Sequence, residues 1–347
     1  MNGKLLTRIA SAPGVPGFED VAQQIALREL KACCDEVSRD YLGNVIALKK
    51  ATLRTPAGKR PFRLMLAAHI DEAGMMVKHI NDKGFLHFVQ LGGVNPHVAQ
   101  SQRVVIHGKQ PVRGVVAPKS TNGDTSKTVT LDDLLIDTGL PKATVEKLIQ
   151  PGDVITFDSD VSVLNDKIWV GRNFDNRIGS YCLLEAMHQV GPTAVDVYAV
   201  SSTQEEVGLR GARPAAFAVA PDIGIAIDGS MARDAIVAPQ ANLCEIGKGT
   251  GIYLLDNLTI GHPRLIRYLC ALAEKHRIPY QRNIGGGTDA AAIQQSRNGV
   301  IATTIGAPVR YMHSTVQLCH ADDMDASVAL LVKFMETAHE FMAELHS

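Results

Sequence analysis

Glu205 and Glu206 sit side by side just past an apolar run, Val195 to Ser201, that reads as a strand entering a core. An adjacent carboxylate pair by itself is usually a solvated surface feature. Here the pattern recurs at two other strand ends. Arg63-Leu64-Met65-Leu66-Ala67-Ala68 runs into His69-Ile70-Asp71-Glu72, and Asp222 to Ile227 runs into Asp228. Burying unpaired charge is costly, so apolar strands that each deliver carboxylate or imidazole point to a site at the strand-end crevice of an α/β sheet. Asp175, in Gly171 to Arg177 at the mouth of a helix, adds a carboxylate. His313, in Arg310-Tyr311-Met312-His313-Ser314, adds a second imidazole after a further strand, Val300 to Ile305.

His69 and Asp71 are two apart and share a face in extended chain, so Asp71 can orient the imidazole of His69. Glu205 and Glu206 are adjacent and point in opposite directions, which gives them different roles. Two imidazoles and at least three carboxylates, without thiolate, suit Zn, Co or Mn. That is too many donors for one tetrahedral catalytic site. It matches two metals sharing one carboxylate, with a further carboxylate left as general base. Paired carboxylates also cleave glycosidic bonds, but there they face each other across about 5–10 Å. Neighbouring residues that point apart do not meet that requirement. The run Gly285–Gly287 lacks a following Lys-Ser/Thr and reads as a close-approach turn, not a phosphate loop. Asp289 caps the helix that follows or lines the cleft, and Asn176 can cap the helix after Asp175.

The elements that must position these groups have an α/β rhythm at both ends of the chain. Phe18 to Val37 has helical spacing, with Val21, Ile25 and Leu30 on one side. A hairpin-like stretch, Lys49 to Pro61, joins Val45–Leu48 to the strand before His69. From about Ala73 to Asp166 the texture changes to short alternating runs, Met75–His79, Phe85–Val89, Arg103–His107, Val112–Val116 and Val154–Phe157, punctuated by Gly and Pro. Asp132–Leu135 and Thr144–Ile149 read as short helical turns, Ser120 to Lys127 as a mobile loop, and Met75-Met76 as core packing. This segment is a β-rich insertion. The catalytic α/β domain is therefore discontinuous, 1–72 and 167–347, around an inserted domain at 73–166. Helices from Pro263 and from about Met324 to Leu345 complete it.

The 347 residues carry a formal net charge of −1, so no global field favours nucleic acid or an anionic membrane. No apolar run approaches the roughly 18 residues of a membrane span, and the first residues lack the apolar stretch of a signal peptide. The six cysteines form no CxxC pair, which is consistent with reduced thiols and a cytoplasmic protein.

Together, His69-Ile70-Asp71-Glu72, Gly171 to Arg177, Gln204 to Gly211, Gly286-Gly287-Thr288-Asp289-Ala290 and Arg310 to Ser314 resemble the M42 family of dinuclear metallo-aminopeptidases, end to end. The family includes the tetrahedral (TET), glutamyl and deblocking aminopeptidases. The resemblance implies a mixed-sheet, three-layer metallo-exopeptidase domain. Gly92 to Pro96, Gln102 to Val104 and Leu135 to Gly139 are similar to that family's inserted PDZ-like dimerisation domain. It implies one metal on His69, Asp175 and Asp228, and a second on Asp175, Glu206 and His313, with Asp175 bridging. Zn is the first expectation, with Co or Mn as alternatives. Glu205 is then the general base, Asp71 supports His69, and Gly287, Thr288 and Asp289 line the substrate cleft. The implied substrates are peptides with a free N-terminus, and the implied assembly runs from dimer to tetrahedral dodecamer. Gln317 departs from the pattern, because members often carry Glu there. The competing expectation is an M42-like assembly protein without catalysis or with altered specificity.

Overall fold

The computed structural model describes residues 1–53, 60–119, 128–235 and 244–346. An eight-stranded mixed sheet organises it. From one edge the strands run Glu36–Arg39, Val45–Lys49, Asp196–Ser202, Arg63–His69, Ile223–Ile227, Ile301–Gly306, Thr250–Leu255 and Tyr280–Ile284. The block from Asp196–Ser202 to Ile301–Gly306 is parallel, and its two neighbours pair with it antiparallel.

Near-continuous apolar strands are what a parallel sheet buried on both faces requires. Leu64, Leu66 and Ala68 enter the larger core, with the helices Gly3–Ser11, Phe174–Gln189 and Ala321–His346. Met65 and Ala67 enter a second core on the opposite face, under the helices Ala212–Val219 and Ala290–Gln294. A one-residue slip would exchange these two sets, so the register is strongly specified. Ser202 pairs with His69, and Ala226 with Ala67. The carboxyl ends of three parallel strands therefore share one edge.

A second, five-stranded sheet has the order Ser162–Asn165, Ile168–Gly171, Gln317–His320, Pro308–Arg310 and Ser230–Ala232. Its strands frame the chemistry. Ile168–Gly171 leads to Asp175, Pro308–Arg310 leads to His313, and Ser230–Ala232 follows Asp228.

Six strands, Gly74–Ile80, Leu86–Leu91, Leu134–Asp137, Pro111–Pro118, Arg103–His107 and Val154–Phe157, close into a barrel. Closure removes exposed strand edges. The barrel has its own core, including Met75, Phe88, Val104, Ile106, Ile136 and Ile155.

Several local expectations change. The helix expected over Phe18–Val37 spans Asp20–Lys31, and Glu36–Arg39 is a strand paired with Val45–Lys49. The buried stripe is Ala22, Ala26 and Leu30, while Val21 is 55% exposed. Small alanines let this helix lie close to the sheet. Asp132–Leu135 splits into a 3₁₀ turn, Leu131–Asp133, and the start of the strand Leu134–Asp137. Ser162–Asn165 pairs within the five-stranded sheet, so the barrel's own strands end at Phe157. The stretch Ser120–Lys127, and residues 54–59 of the Lys49–Pro61 connection, lie outside the described residues. Among the described residues no helix is long and apolar enough to cross a membrane.

Candidate metal centre

His69 is the last residue of its strand, and Ser180 Oγ donates to its carbonyl at 2.9 Å. Asp71, fully buried, lies 3.5 Å from His69 Nδ1. That is long for a hydrogen bond. Its firm bonds run elsewhere: Oδ1 accepts the Glu205 N–H and Oδ2 the Glu206 N–H, both at 3.0 Å. Asp71 therefore holds the turn that presents both glutamates. Glu19 helps, accepting the N–H of Gln204 at 3.1 Å, where the backbone is left-handed at φ 54°.

Asp175 lies at the mouth of the helix Phe174–Gln189, where Asp175 and Asn176 depart from helical geometry and the peptide between them is cis. Asn176 Oδ1 accepts the Gly179 N–H at 3.0 Å, a cap for the regular helix beyond. Its Nδ2 donates to the Ile227 carbonyl at 2.8 Å, next to Asp228. The Asp175 N–H donates to Gln317 Oε1 at 2.7 Å. Gln317 Nε2 in turn donates to the carbonyls of Arg172, at 3.0 Å, and Ser314, at 3.3 Å. One buried amide thus ties the Asp175 turn to the His313 loop.

The barrel also reaches the site. His313 Nδ1 lies 3.1 Å from the Gly93 carbonyl. A carbonyl only accepts, so Nδ1 carries a proton, and Nε2 is the nitrogen that faces Asp175 and could bind a cation once deprotonated. The Gly93 N–H donates to Glu206 Oε2 at 3.3 Å. A Cβ at Gly92, where φ is 84°, would sit 2.7 Å from that same oxygen. Glycine at this position lets the loop lie against Glu206 and His313.

These elements bring His69, Asp175, Glu205, Glu206, Asp228 and His313 together. Asp175 faces both imidazoles, Oδ1 at 3.3 Å from His69 Nε2 and Oδ2 at 3.2 Å from His313 Nε2. Glu205 Oε2 and Asp228 Oδ1 each lie 3.8 Å from His69 Nε2. Donor atoms of His69, Glu205 and Asp228 lie within 4.8 Å of one another, as do those of Asp175, Glu206 and His313. Glu205 is thus close enough to the first group to act as ligand or base.

The electrostatics are lopsided. Among the described residues, the ion pairs of these carboxylates are all with histidine. Burial, reinforced by Asp175, pushes Glu206 up to about 7. Burial also drives Glu205 and Asp228 well above the carboxylate range, with neighbouring acids adding to it. His313 is raised to about 9, first by its hydrogen bond to Asp175. On His69 burial acts downward, but Glu205, Asp228, Asp175 and Asp71 outweigh it and raise the imidazole. The protein gathers more negative charge than its own cations neutralise. With nitrogen and oxygen donors and no thiolate, the two groups fit a pair of divalent cations.

A cavity of about 440 Å³ opens over this cluster, and Gly287 and Thr288 line it. Asp289 is buried behind that wall and accepts from Ser202 Oγ at 2.5 Å, without a side-chain cap bond to its helix. A similar cavity of about 410 Å³ lies between the helices Pro263–His276 and Ala321–His346. Its ionisable lining residues are arginine, lysine, glutamate and tyrosine, so it lacks the histidine-carboxylate donor set.

The chain is similar to known proteins over nearly its whole length. Residues 43–330 match the family described as M42 glutamyl aminopeptidase. The lysyl aminopeptidase of Pyrococcus furiosus is 33% identical over 345 residues, covering 96% of each chain. An aminopeptidase from the archaeon Desulfurococcus kamchatkensis superposes with a TM-score of 0.94 at 34% identity, over 99% of this chain and 97% of that one. A TET peptidase of Pyrococcus horikoshii, described as assembling into a tetrahedron or a large octahedral shell, superposes with a TM-score of 0.83 at 30% identity, over 96% and 98% of the two chains. The chain belongs to the M42 peptidase family.

Proposed function

We propose that this protein is a metal-dependent aminopeptidase that removes N-terminal residues from short peptides. The observation that carries the reading is Asp175, whose two carboxylate oxygens face two imidazoles from opposite sides. His69, Asp175 and Asp228 would hold one divalent cation, and Asp175, Glu206 and His313 the other. Zn fits the donor set, and so do Co and Mn. Such a pair supplies Lewis acidity at a carbonyl and makes water acidic enough to react near neutral pH.

The chain's own groups do the rest. Glu205, raised by burial and by its acidic neighbours, takes the proton of the attacking water and passes it to the departing amine. Asp71 fixes its backbone for that task. A free α-amine is itself a nitrogen donor that a divalent cation in this cluster could take, which favours cleavage at a free N-terminus. Gly287 and Thr288 form part of the wall against which the peptide lies. The 73–166 segment, with its barrel, is assigned to dimerisation, and the full assembly to a homo-oligomer up to a tetrahedral dodecamer.

Protein stripped by chelation and reloaded with Zn, Co or Mn should cleave aminoacyl-coumarin substrates but leave N-acetylated ones intact. Equal activity of stripped and reloaded protein would remove the metal from the reading. Light scattering would show particles near twelve subunits, and a monomer would remove the assembly.

A further inference from the structure

We infer that the cavity takes an apolar N-terminal side chain, such as that of leucine, methionine or phenylalanine, in preference to lysine or glutamate. The inference rests on the aminopeptidase reading and names the substrate class of the same site. Among the described residues, every carboxylate and imidazole that lines the cavity belongs to the candidate metal centre. The rest of the wall is of another kind. Leu209, Met231, Tyr253, Leu258 and Met312 supply its bulk, with glycines between them.

Beyond the metal centre the wall has three polar side chains among the described residues, of which Tyr253 and Thr288 are engaged and Asn257 is an exposed, uncharged amide. Tyr253 O–H donates to the Gly229 carbonyl at 2.9 Å, so this nearly buried residue, 3% exposed, presents no free hydroxyl to the cavity. Thr288 Oγ1 bonds Asp256 at 3.2 Å and Thr304 at 2.7 Å. Asp256 lies behind the wall and is itself satisfied. Its Oδ1 accepts the N–H groups of Leu258, at 2.7 Å, and Thr259, at 2.6 Å. That turn holds Leu258 at the cavity mouth, where it is 56% exposed.

A lysine ammonium directed into this wall meets no carboxylate outside the metal centre, and a glutamate meets no cation lining it, among the described residues. Either charge would be desolvated without a partner, which is costly. An aliphatic or aromatic side chain gains contact area there, and two methionines adapt to its shape. Arg233 reaches Met231 of the wall, its Nε and Nη2 lying 3.2 and 3.1 Å from Met231 Sδ. It is exposed and does not line the cavity.

The test compares Leu-, Met-, Phe-, Lys- and Glu-aminomethylcoumarin on metal-loaded protein. Expected kcat/KM for the three apolar residues exceeds that for Lys and Glu by about 100-fold. Leu258→Glu should raise the Lys to Leu ratio by about tenfold. Calorimetry of Leu-Gly-Gly, Lys-Gly-Gly and Glu-Gly-Gly on metal-loaded Glu205→Gln protein should give the same order. A lead for Lys or Glu overturns the inference while leaving the aminopeptidase reading intact, and a lead for Glu would implicate Arg233. Absence of turnover with Leu-Gly-Gly still bound best would keep the cavity assignment and overturn the hydrolytic reading. Equal binding of all three overturns the inference.

Discussion

Two buried clusters of charge lie within a few residues of each other, and they are solved in opposite ways. Glu72 is enclosed by cations. Arg172 Nε lies 2.8 Å from its Oε2, Arg177 lies 3.5 Å from its Oε1, and Asn173 donates at 3.1 Å. Gly14 N–H completes the shell at 3.2 Å. Burial pushes Glu72 up, yet Arg172 and Arg177 outweigh that and hold it below its ordinary value. One residue earlier in the chain, Asp71 leads into the strand-end cluster, where Glu205, Glu206 and Asp228 are driven the other way. Burial is similar, so the sign is set by whether the chain supplies guanidinium. A buried carboxylate enclosed by guanidinium groups is structural. A cluster left acid-rich, with nitrogen donors facing it, suits a cation from outside, as proposed above.

The largest expected effect falls on catalysis. Glu205→Gln should lower turnover by about 10²–10⁴-fold, the usual contribution of a general base. Its melting temperature should stay level or rise, since the change removes one buried acid from a repulsive group. Near-normal turnover would break the assignment of Glu205.

Glu72→Ala should do the reverse. Losing one partner of a buried pair costs about 3–5 kcal/mol, here because Arg172 and Arg177 keep their charge without compensation. Chemical denaturation would show it, and a loss no greater than that of an exposed substitution would place Glu72 outside the balanced network.

The contrast extends to pH and to metal. Glu206 is raised from 4.5 to about 7 and His313 from 6.5 to about 9. A folded value above the unfolded one gives stability that is complete below the unfolded value and lost as pH rises through the folded one. Chelated protein should therefore lose stability between pH 5 and 9. Glu72 has the opposite sign, and its contribution is lost as pH falls through its lowered folded value. Divalent cation at 100 times its Kd should add about 2.7 kcal/mol per site and flatten the alkaline loss. Thermal melts of chelated and reloaded protein across pH would read both effects. A melting temperature indifferent to metal at every pH would show that the folded chain takes up no cation.

The two clusters were not equally legible in the sequence. The strands ending at His69 and Ile227 announce themselves, because apolar residues stop abruptly at charge, and the one ending at Ser202 reaches the adjacent glutamates only after a short polar stretch. Asp175 and His313 needed the family's motifs, since neither ends an apolar run. What the motifs do not reveal is how the donors are held. Gly93 meets His313 across 220 positions, and Asp71 meets Glu205 and Glu206 across 134 and 135. Such contacts depend on how the barrel and the second sheet close over the first. Local periodicity also misled at Val21, where the helix buries its alanines instead.

Gln317 sharpens the comparison at its smallest scale, being neutral in a neighbourhood of charge. It is 2% exposed and fully used, accepting from Asp175 N–H and donating to two carbonyls. Gln317→Leu removes all three bonds at similar volume. Its effect should be a 10–100-fold weaker grip on metal, about 1.4–2.7 kcal/mol, because the Asp175 turn and the His313 loop lose their common tie. Gln317→Glu keeps the acceptor for Asp175 but turns its other oxygen, now an acceptor, toward the carbonyls of Arg172 and Ser314. A carboxylate there also adds negative charge beside an already acid-rich group, so the stability of chelated protein should fall, while the added charge favours a bound cation and offsets the lost tie. Cobalt titration followed by visible absorption would separate Gln317→Leu from Glu72→Ala, which should lose stability far more than cobalt affinity. Wild-type cobalt binding by Gln317→Leu would show that the loops are held by the sheet alone.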